Sequence, residues 1–460
     1  MMTRRGFLTH SCALGVATAT VSSTMLSLGF ARTAAAQSAP GYRALVCILL
    51  AGGNDSYNML VPTDNDQFGE YSAIRTDLAL PQNELLALPG TASNGRSYGV
   101  HPGMPELQSL FTNGDAALIA NVGTLLEPFD AQAVESGIAR LPLGLFSHAD
   151  QINQWQTAVP DARIAQGWGG RIADLMQGIN VQNGVSMNIS LSGSNVFQSG
   201  NQVGEYSIDS AGDGAPGVNA YDDGTEFGAF RKRMVDEMLA VQQQNILRRE
   251  YSRRLRGAID AQSVFVDALQ TSPALTTSFS PGYFSQALRQ IARVIGARDA
   301  LGATRQTFFV TVGGWDHHDD VLDNQANMLP AISAGLQEFR NALVELGVFN
   351  EVTTFTTSDF GRTLTSNGKG SDHGWGGHHI VMGGSVNGGT IYGDYPILSA
   401  SSPLDVGRGV YAPTTSVDEY FAELAQWFGV SASELDQVLP NVRSFYSPES
   451  NAPPIGFLST

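Results

Sequence analysis

Apolar positions along this chain follow two rhythms. Arg43 to Leu50 (RALVCILL) is a short unbroken apolar run containing Val and Ile, and Gly52-Gly53 follows it. Such a run predicts a fully buried strand. Ala116 to Ala120 (AALIA), Gln306 to Val312 (QTFFVTV) and Glu351 to Thr357 (EVTTFTT) predict three more inner strands. The second rhythm is helical. Met328, Ile332, Leu336, Phe339, Leu343 and Leu346 recur at spacings of three and four, which gives one apolar stripe between the last two strands. Phe284, Leu288, Ile291 and Ile295 repeat the pattern just before the third strand. Ser416 with Glu419 forms a capping-box pattern, and Tyr420, Leu424 and Trp427-Phe428 supply the apolar side of a last helix. Strand–helix–strand alternation predicts the α/β class: a mostly parallel sheet sandwiched by helices.

Three of the strands deliver an aspartate just past their C-terminal ends: Asp55, Asp316 and Asp359. In open parallel sheets that end is where ligands bind. Between Ser192 and Thr225 the composition shifts to Gly, Ser, Asn and Asp, which reads either as a surface excursion or as a lid over a site. The stretch from Phe227 to Leu269 is helical in composition and carries Arg248, Arg249, Arg253, Arg254 and Arg256. Those arginines read as a solvated helix face or, less simply, as a recruitment site for an anionic substrate. Residues 193–300 are therefore expected to be a loop and helical insertion.

The first residues read as an address. Arg4-Arg5-Gly6-Phe7-Leu8 precedes an apolar stretch from Cys12 to Phe30, and Ala34-Ala35-Ala36 offers a cleavage site. These are the parts of a twin-arginine export signal over residues 1–36. A membrane anchor fits less well, because Ser, Thr and Gly dilute the stretch. The expected partner during export is the twin-arginine translocase, which carries folded proteins. The destination is then periplasmic or extracellular, and residues 41–460 form the exported domain. Without the signal the net charge of −17 becomes −20, since the signal holds three Arg and no acid. So acidic a chain argues against nucleic acid as a partner, and equally against anionic lipid. No later apolar run reaches membrane-spanning length. Cys47 is the only thiol left after Cys12 departs, which excludes an intramolecular disulfide.

Histidine is scarce here, yet five of the eight fall between residues 317 and 379: His317, His318, His373, His378 and His379. Aspartates 316, 359 and 372 are interleaved with them. Carboxylate and imidazole together hold divalent ions such as Zn²⁺ or Mn²⁺. Asp316-x-His318 sets two ligands on one side of an extended segment. Asp372-His373 sits in a Gly-rich loop able to fold around an ion. With Asp55, Asp359 and His378, the set is too large for one tetrahedral ion and suits two sharing a site, which can clamp the attacking and leaving oxygens of an ester transfer. Each Asp taken alone reads equally as a helix cap, and each His as a core residue. Ser147-His148 opens another helix. Ser147 is either an N-cap or a nucleophile, and His148 a further ligand or an acid–base group. Ser56 is a second, poorer nucleophile candidate, and His101 reads as structural. Arg362 either holds a substrate oxyanion or pairs with a nearby Asp.

The strings LLAGGNDSYNMLVP, LFSHADQ, TVGGWDHHDD, SDFGRT and SDHGWGGHHIVMGG resemble the bacterial "domain of unknown function 1501" family from about residue 42 to 445. That resemblance implies an exported protein with an alkaline-phosphatase-like, sulfatase-like core. The family's Gly-Gly-aromatic-Asp-x-His motif falls on Gly313 to His318, which implies ligand roles for Asp316 and His318. Its Asp-His-Gly motif falls on Asp372 to Gly374, and its Gly-Gly-Asn-Asp motif on Gly52 to Asp55. Alternation and the family pattern favour His318 and His378 over His317 and His379. Alkaline-phosphatase-like enzymes often carry Asp-His after the later strand, where Asp359-Phe360 stands here, and no sulfatase-type nucleophile motif is present. The family establishes no general activity; the ligand cluster leads to the expectation of a two-metal hydrolase of small-molecule or polymer phosphate or sulfate esters. The rival is a non-catalytic exported protein that keeps the fold.

Overall fold

The computed structural model describes residues 41–459 apart from 91, 93, 182, 183, 213, 215, 216, 218–220, 222, 223, 242, 243, 400 and 451. The expected export signal, 1–36, lies outside the described residues. Nine strands form the main sheet: β1 (Arg43–Leu50), β2 (Ala116–Gly123), β3 (Asn188–Ser190), β4 (Tyr206–Ser207), β5 (Arg305–Val312), β6 (Val352–Ser358), β7 (Gly377–Met382), β8 (Ile391–Tyr392) and β9 (Thr415–Ser416). Their spatial order is β8-β2-β7-β6-β1-β5-β3-β4, with β9 also against β2. Among these pairings only the two made by β7 are antiparallel.

The longer helices are α1 (Asn65–Arg75), α2 (Pro105–Thr112), α3 (His148–Thr157), α4 (Trp168–Leu175), α5 (Glu226–Ala240), α6 (Ile246–Gln270), α7 (Tyr283–Gly296), α8 (Val321–Glu345) and α9 (Val417–Phe428). Because strand side chains alternate, β1 serves two cores at once. Val46, Ile48 and Leu50 join α2, α7 and α8 through Leu107, Leu288 and Phe339. Leu45, Cys47 and Leu49 join α3, α4 and α9 through Trp155, Trp168 and Phe421. The result is the expected mostly parallel sheet covered on both faces. At the start of α9, the Ser416 hydroxyl accepts from the Glu419 N–H, and the Glu419 carboxylate accepts from the Ser416 N–H, which completes the capping box.

The 193–300 segment divides. Its last helix, α7, is packed into the core by Ala287, Leu288 and Ile291 and belongs to the sandwich. By contrast, α5 buries only Gly228, and the buried residues of α6 fall in its C-terminal half, from Ile259 onward. No helix among the described residues is long and apolar enough to cross a membrane.

Register positions the site. Leu50 pairs with Val312 on one side and with Ser358 on the other, so β1, β5 and β6 end level. Three turns, each carrying an aspartate, therefore leave the sheet side by side. The antiparallel β7 starts at the same rim, with Gly377 opposite Val122.

Candidate metal centre

The rim turns touch one another. Gly52 has φ +123°, and a Cβ there would lie 2.5 Å from the Asp316 amide nitrogen, so only glycine lets the turn after β1 meet the turn after β5. Arg362 then ties the turns together. Its Nε donates to the Gly53 carbonyl at 3.0 Å, Nη1 to Ser371 O at 3.0 Å, and Nη2 to Gly52 O at 2.9 Å and to the Asp316 carboxylate. The side chain is fully buried and all three of its nitrogens are engaged. This is the pairing with a nearby Asp, and the geometry offers no donor directed to a substrate.

Three imidazoles converge on Asp316, and each is held from behind. His148 opens α3, where its Nδ1 lies 2.7 Å from Asp359 Oδ2 and its Nε2 lies 3.4 Å from Asp316 Oδ2. His318 sets Nδ1 at 3.2 Å from Asp372 Oδ1 and Nε2 at 3.2 Å from Asp316 Oδ1. His373 donates from Nδ1 to the Phe146 carbonyl at 2.8 Å, which leaves its Nε2 at 3.4 Å from Asp316 Oδ1. The His318 and His373 Nε2 atoms are 3.0 Å apart. One donor atom each from His148, Asp316 and His373 lies within 4.8 Å of the others.

The protons decide what this arrangement is. A carbonyl only accepts, so neutral His373 carries its proton on Nδ1 and bares a lone pair at Nε2. The carboxylates behind His148 and His318 impose the same tautomer. In that tautomer the three Nε2 atoms face one carboxylate, an arrangement that either a proton or a metal cation can satisfy. Imidazoles that ligate a metal usually donate their other ring N–H to a carboxylate or carbonyl behind them, as these rings are placed to do. Two nitrogens on one tetrahedral ion at ordinary bond lengths stand about 3.3 Å apart, close to the observed His318–His373 spacing.

Charges around the site are biased accordingly. Burial opposes the Asp316 charge, but the Arg362 hydrogen bond and the positive charge of Arg362 hold its pKa below the usual carboxylate value. Asp372 is lowered by the Asn367 hydrogen bond, with help from Arg408 and His318. Asp359 is raised by burial, which the Gly52 N–H and His148 only partly offset. Burial, together with the positive charge of Arg362, lowers His373 and so favours its neutral form.

Two of the expected ligands are not brought to this cluster. Asp55 lies fully buried, and its Oδ2 holds the Arg75 guanidinium at the end of α1 and accepts from Ser371 Oγ at 2.6 Å. The chain turns inward after Gly53, so this carboxylate points beneath the rim. His378 runs down into the sheet because β7 is antiparallel. Its Nδ1 accepts from the Asn121 N–H at 3.0 Å, its ring stacks 4.5 Å from that of Tyr395, and burial pushes its pKa to about 3. His379 is likewise buried, against Trp155, and His317 lies beside Trp315. His101 accepts from the Gly103 N–H, a turn contact. Ser147 caps α3 by accepting from the Asp150 N–H, and the Ser56 hydroxyl accepts from the His378 N–H at 2.9 Å.

The chain from residue 42 to 439 matches the family described as "Protein of unknown function (DUF1501)". It belongs to that family. Comparison with curated proteins gives no match. Among solved structures, this DUF1501 chain resembles Ps i-CgsB at 10% identity and TM-score 0.35, over 90% of this chain and 78% of that one. The zinc complex of the C-terminal periplasmic domain of EcEptC from Escherichia coli gives 11% identity and TM-score 0.32, over 91% and 93%. PsFucS1 sulfatase from Pseudoalteromonas sp. gives 9% and 0.33, over 88% and 71%. Likeness this distant assigns no activity.

A cleft of about 470 Å³ opens beside the cluster, lined by His318, Asp372, His373 and Arg408 on its polar side and by Phe146, Val406 and Val410 on its apolar side. Arg408 was not singled out from the sequence. It is the middle of a Gly-Arg-Gly turn in which all three residues have positive φ, and the Asp405 carboxylate accepts from both glycine N–H groups. That turn was the available cue, because a non-glycine residue held at φ +57° is strained and often functional. The Arg408 side chain is 74% exposed and its Nη2 lies 2.5 Å from Asp372 Oδ2. No described residue between 193 and 225 lines the cleft.

Proposed function

We propose that this protein is an exported metal-dependent hydrolase of phosphate or sulfate esters, with one divalent ion, Zn or Mn, held by His148, Asp316, His318 and His373. The observation that carries this reading is the convergence of three imidazole Nε2 atoms on one carboxylate, each ring braced from behind by an acceptor. Imidazole nitrogens beside a carboxylate are the donor set that borderline divalent cations prefer. The three donors that lie within 4.8 Å of one another, from His148, Asp316 and His373, suit one ion rather than two, with His318 beside them as a further ligand.

When bound, the ion would polarise an ester oxygen and lower the pKa of a water toward neutrality. The remaining work falls to the chain. Asp359 and Asp372 fix the rings of His148 and His318, and Arg362 keeps Asp316 ionised and aimed. Arg408, at the mouth of the cleft, pairs with the ester's oxyanion through its planar fork. Phe146, Val406 and Val410 offer a dry surface to the leaving group, whether a small molecule or a polymer end. Water is the nucleophile in this reading, since the Ser147 and Ser56 hydroxyls both accept from backbone amides. We place the reaction in the periplasm or outside the cell, after export of residues 41–460 as one folded domain without the 1–36 signal.

The engagement of the Ser147 and Ser56 hydroxyls also suits a second reading, a binding protein that keeps the ion and turns nothing over. Assay of aryl phosphates and aryl sulfates with wild type and Ser147→Ala separates the cases. Turnover equal in both is the expected result. Turnover lost in Ser147→Ala at unchanged metal content contradicts the water route, and no turnover in either favours the binding reading.

A further inference from the structure

The acidity of the whole chain conceals a segregation. Between residues 226 and 256 there are eight Lys and Arg against four Asp and Glu, so α5 and the first part of α6 carry +4; Asp260 and Asp267 bring the whole α5–α6 hairpin to +2, while the rest of the −17 chain carries −19. The same hairpin presents apolar side chains to water. Phe227, Phe230, Met234, Met238 and Val241 follow one another at spacings of three or four and are each between 46% and 65% exposed. At about 100° per residue they lie within a single stripe. This stripe is not the face α5 turns to its own partner, because Asp236 on the other side pairs with Arg256 of α6. Ile246 and Leu247, at the start of α6, are likewise 67% and 77% exposed.

We propose that the α5–α6 hairpin docks this protein on an anionic lipid surface, with the stripe entering the headgroup region and the flanking basic groups meeting lipid phosphates. An exposed apolar stripe rimmed by arginine is the composition of helices that lie in a membrane interface. Two copies pairing stripe to stripe would bring two 226–256 stretches of +4 together, whereas anionic headgroups complement that charge. The acidic body does not prevent approach, since charges more than about 8 Å away are largely screened at physiological salt. Total charge alone argued against lipid. The local charge reverses that expectation.

Co-sedimentation of the exported chain with vesicles tests this. Binding to phosphatidylglycerol–phosphatidylcholine vesicles, and at least tenfold weaker binding to phosphatidylcholine alone, is expected, with release in about 0.5 M salt. Phe227→Ser with Met238→Ser, and separately Arg248→Glu with Arg249→Glu, should each weaken binding at least tenfold while circular dichroism stays unchanged. Equal binding to both vesicle types, or full binding by either variant, overturns the proposal. So does a wild-type dimer that ignores vesicles and becomes a monomer in the serine variant, which would assign the stripe to a second copy.

Discussion

Asp316 accepts from Arg362 and faces three imidazoles, so residues around it act by what they do to that one carboxylate or its neighbours. Asp372 is the clearest case. Its Oδ1 fixes the His318 tautomer and its Oδ2 meets Arg408. Asp372→Asn should weaken metal affinity about 10- to 100-fold, the usual effect of removing an outer carboxylate, as measured by chelator competition. Arg408→Ala should leave metal content unchanged and raise KM for the ester at least tenfold. Equal kinetics would remove Arg408 from substrate recognition. Some of this was legible. Asp316-x-His318 and Asp372-His373 stood out by spacing, and both pairs sit in the cluster. Asp55 and His378 carried similar local cues, yet they lie elsewhere. Their placement depends on which way the chain turns after Gly53 and on β7 running against its neighbours, and neither is written in a few adjacent residues.

At the scale of elements, buried strands were the most legible feature, because an inner parallel strand must be apolar on both faces. The runs read at Arg43, Ala116, Gln306 and Glu351 each coincide with a strand to within a few residues. The insertion was less legible, since an amphipathic helix such as α7 looks alike whether it covers the sheet or stands away from it. Helix α9 carries its own pH-sensitive group. Burial pushes the Asp418 carboxyl up to about 7, and the Asn441 hydrogen bond only partly counters this. Its folded pKa is raised, so the stability it contributes is fully present below about pH 4 and is lost as pH rises through about 7. Asp418→Asn stays uncharged. It should therefore raise Tm by several degrees at pH 8 and change it little at pH 4, followed by thermal denaturation at the two pH values. A larger gain at pH 4 than at pH 8 would reverse the assigned sign.

Across the whole molecule, level strand ends bring together turns separated by some three hundred residues of sequence, and Arg362 locks them into one rim. Such a rim is completed only when the domain is folded. Because the ion would bind the native chain and not the unfolded one, its removal should lower the melting temperature. The most direct measurement is elemental analysis of protein purified without chelator, beside His373→Ala. We expect about one equivalent of a divalent transition metal in the wild type and less than a tenth of that in the variant, by the four-ligand logic of such sites. A wild-type protein that holds no metal, and whose melting temperature is the same with and without chelator, would contradict the account.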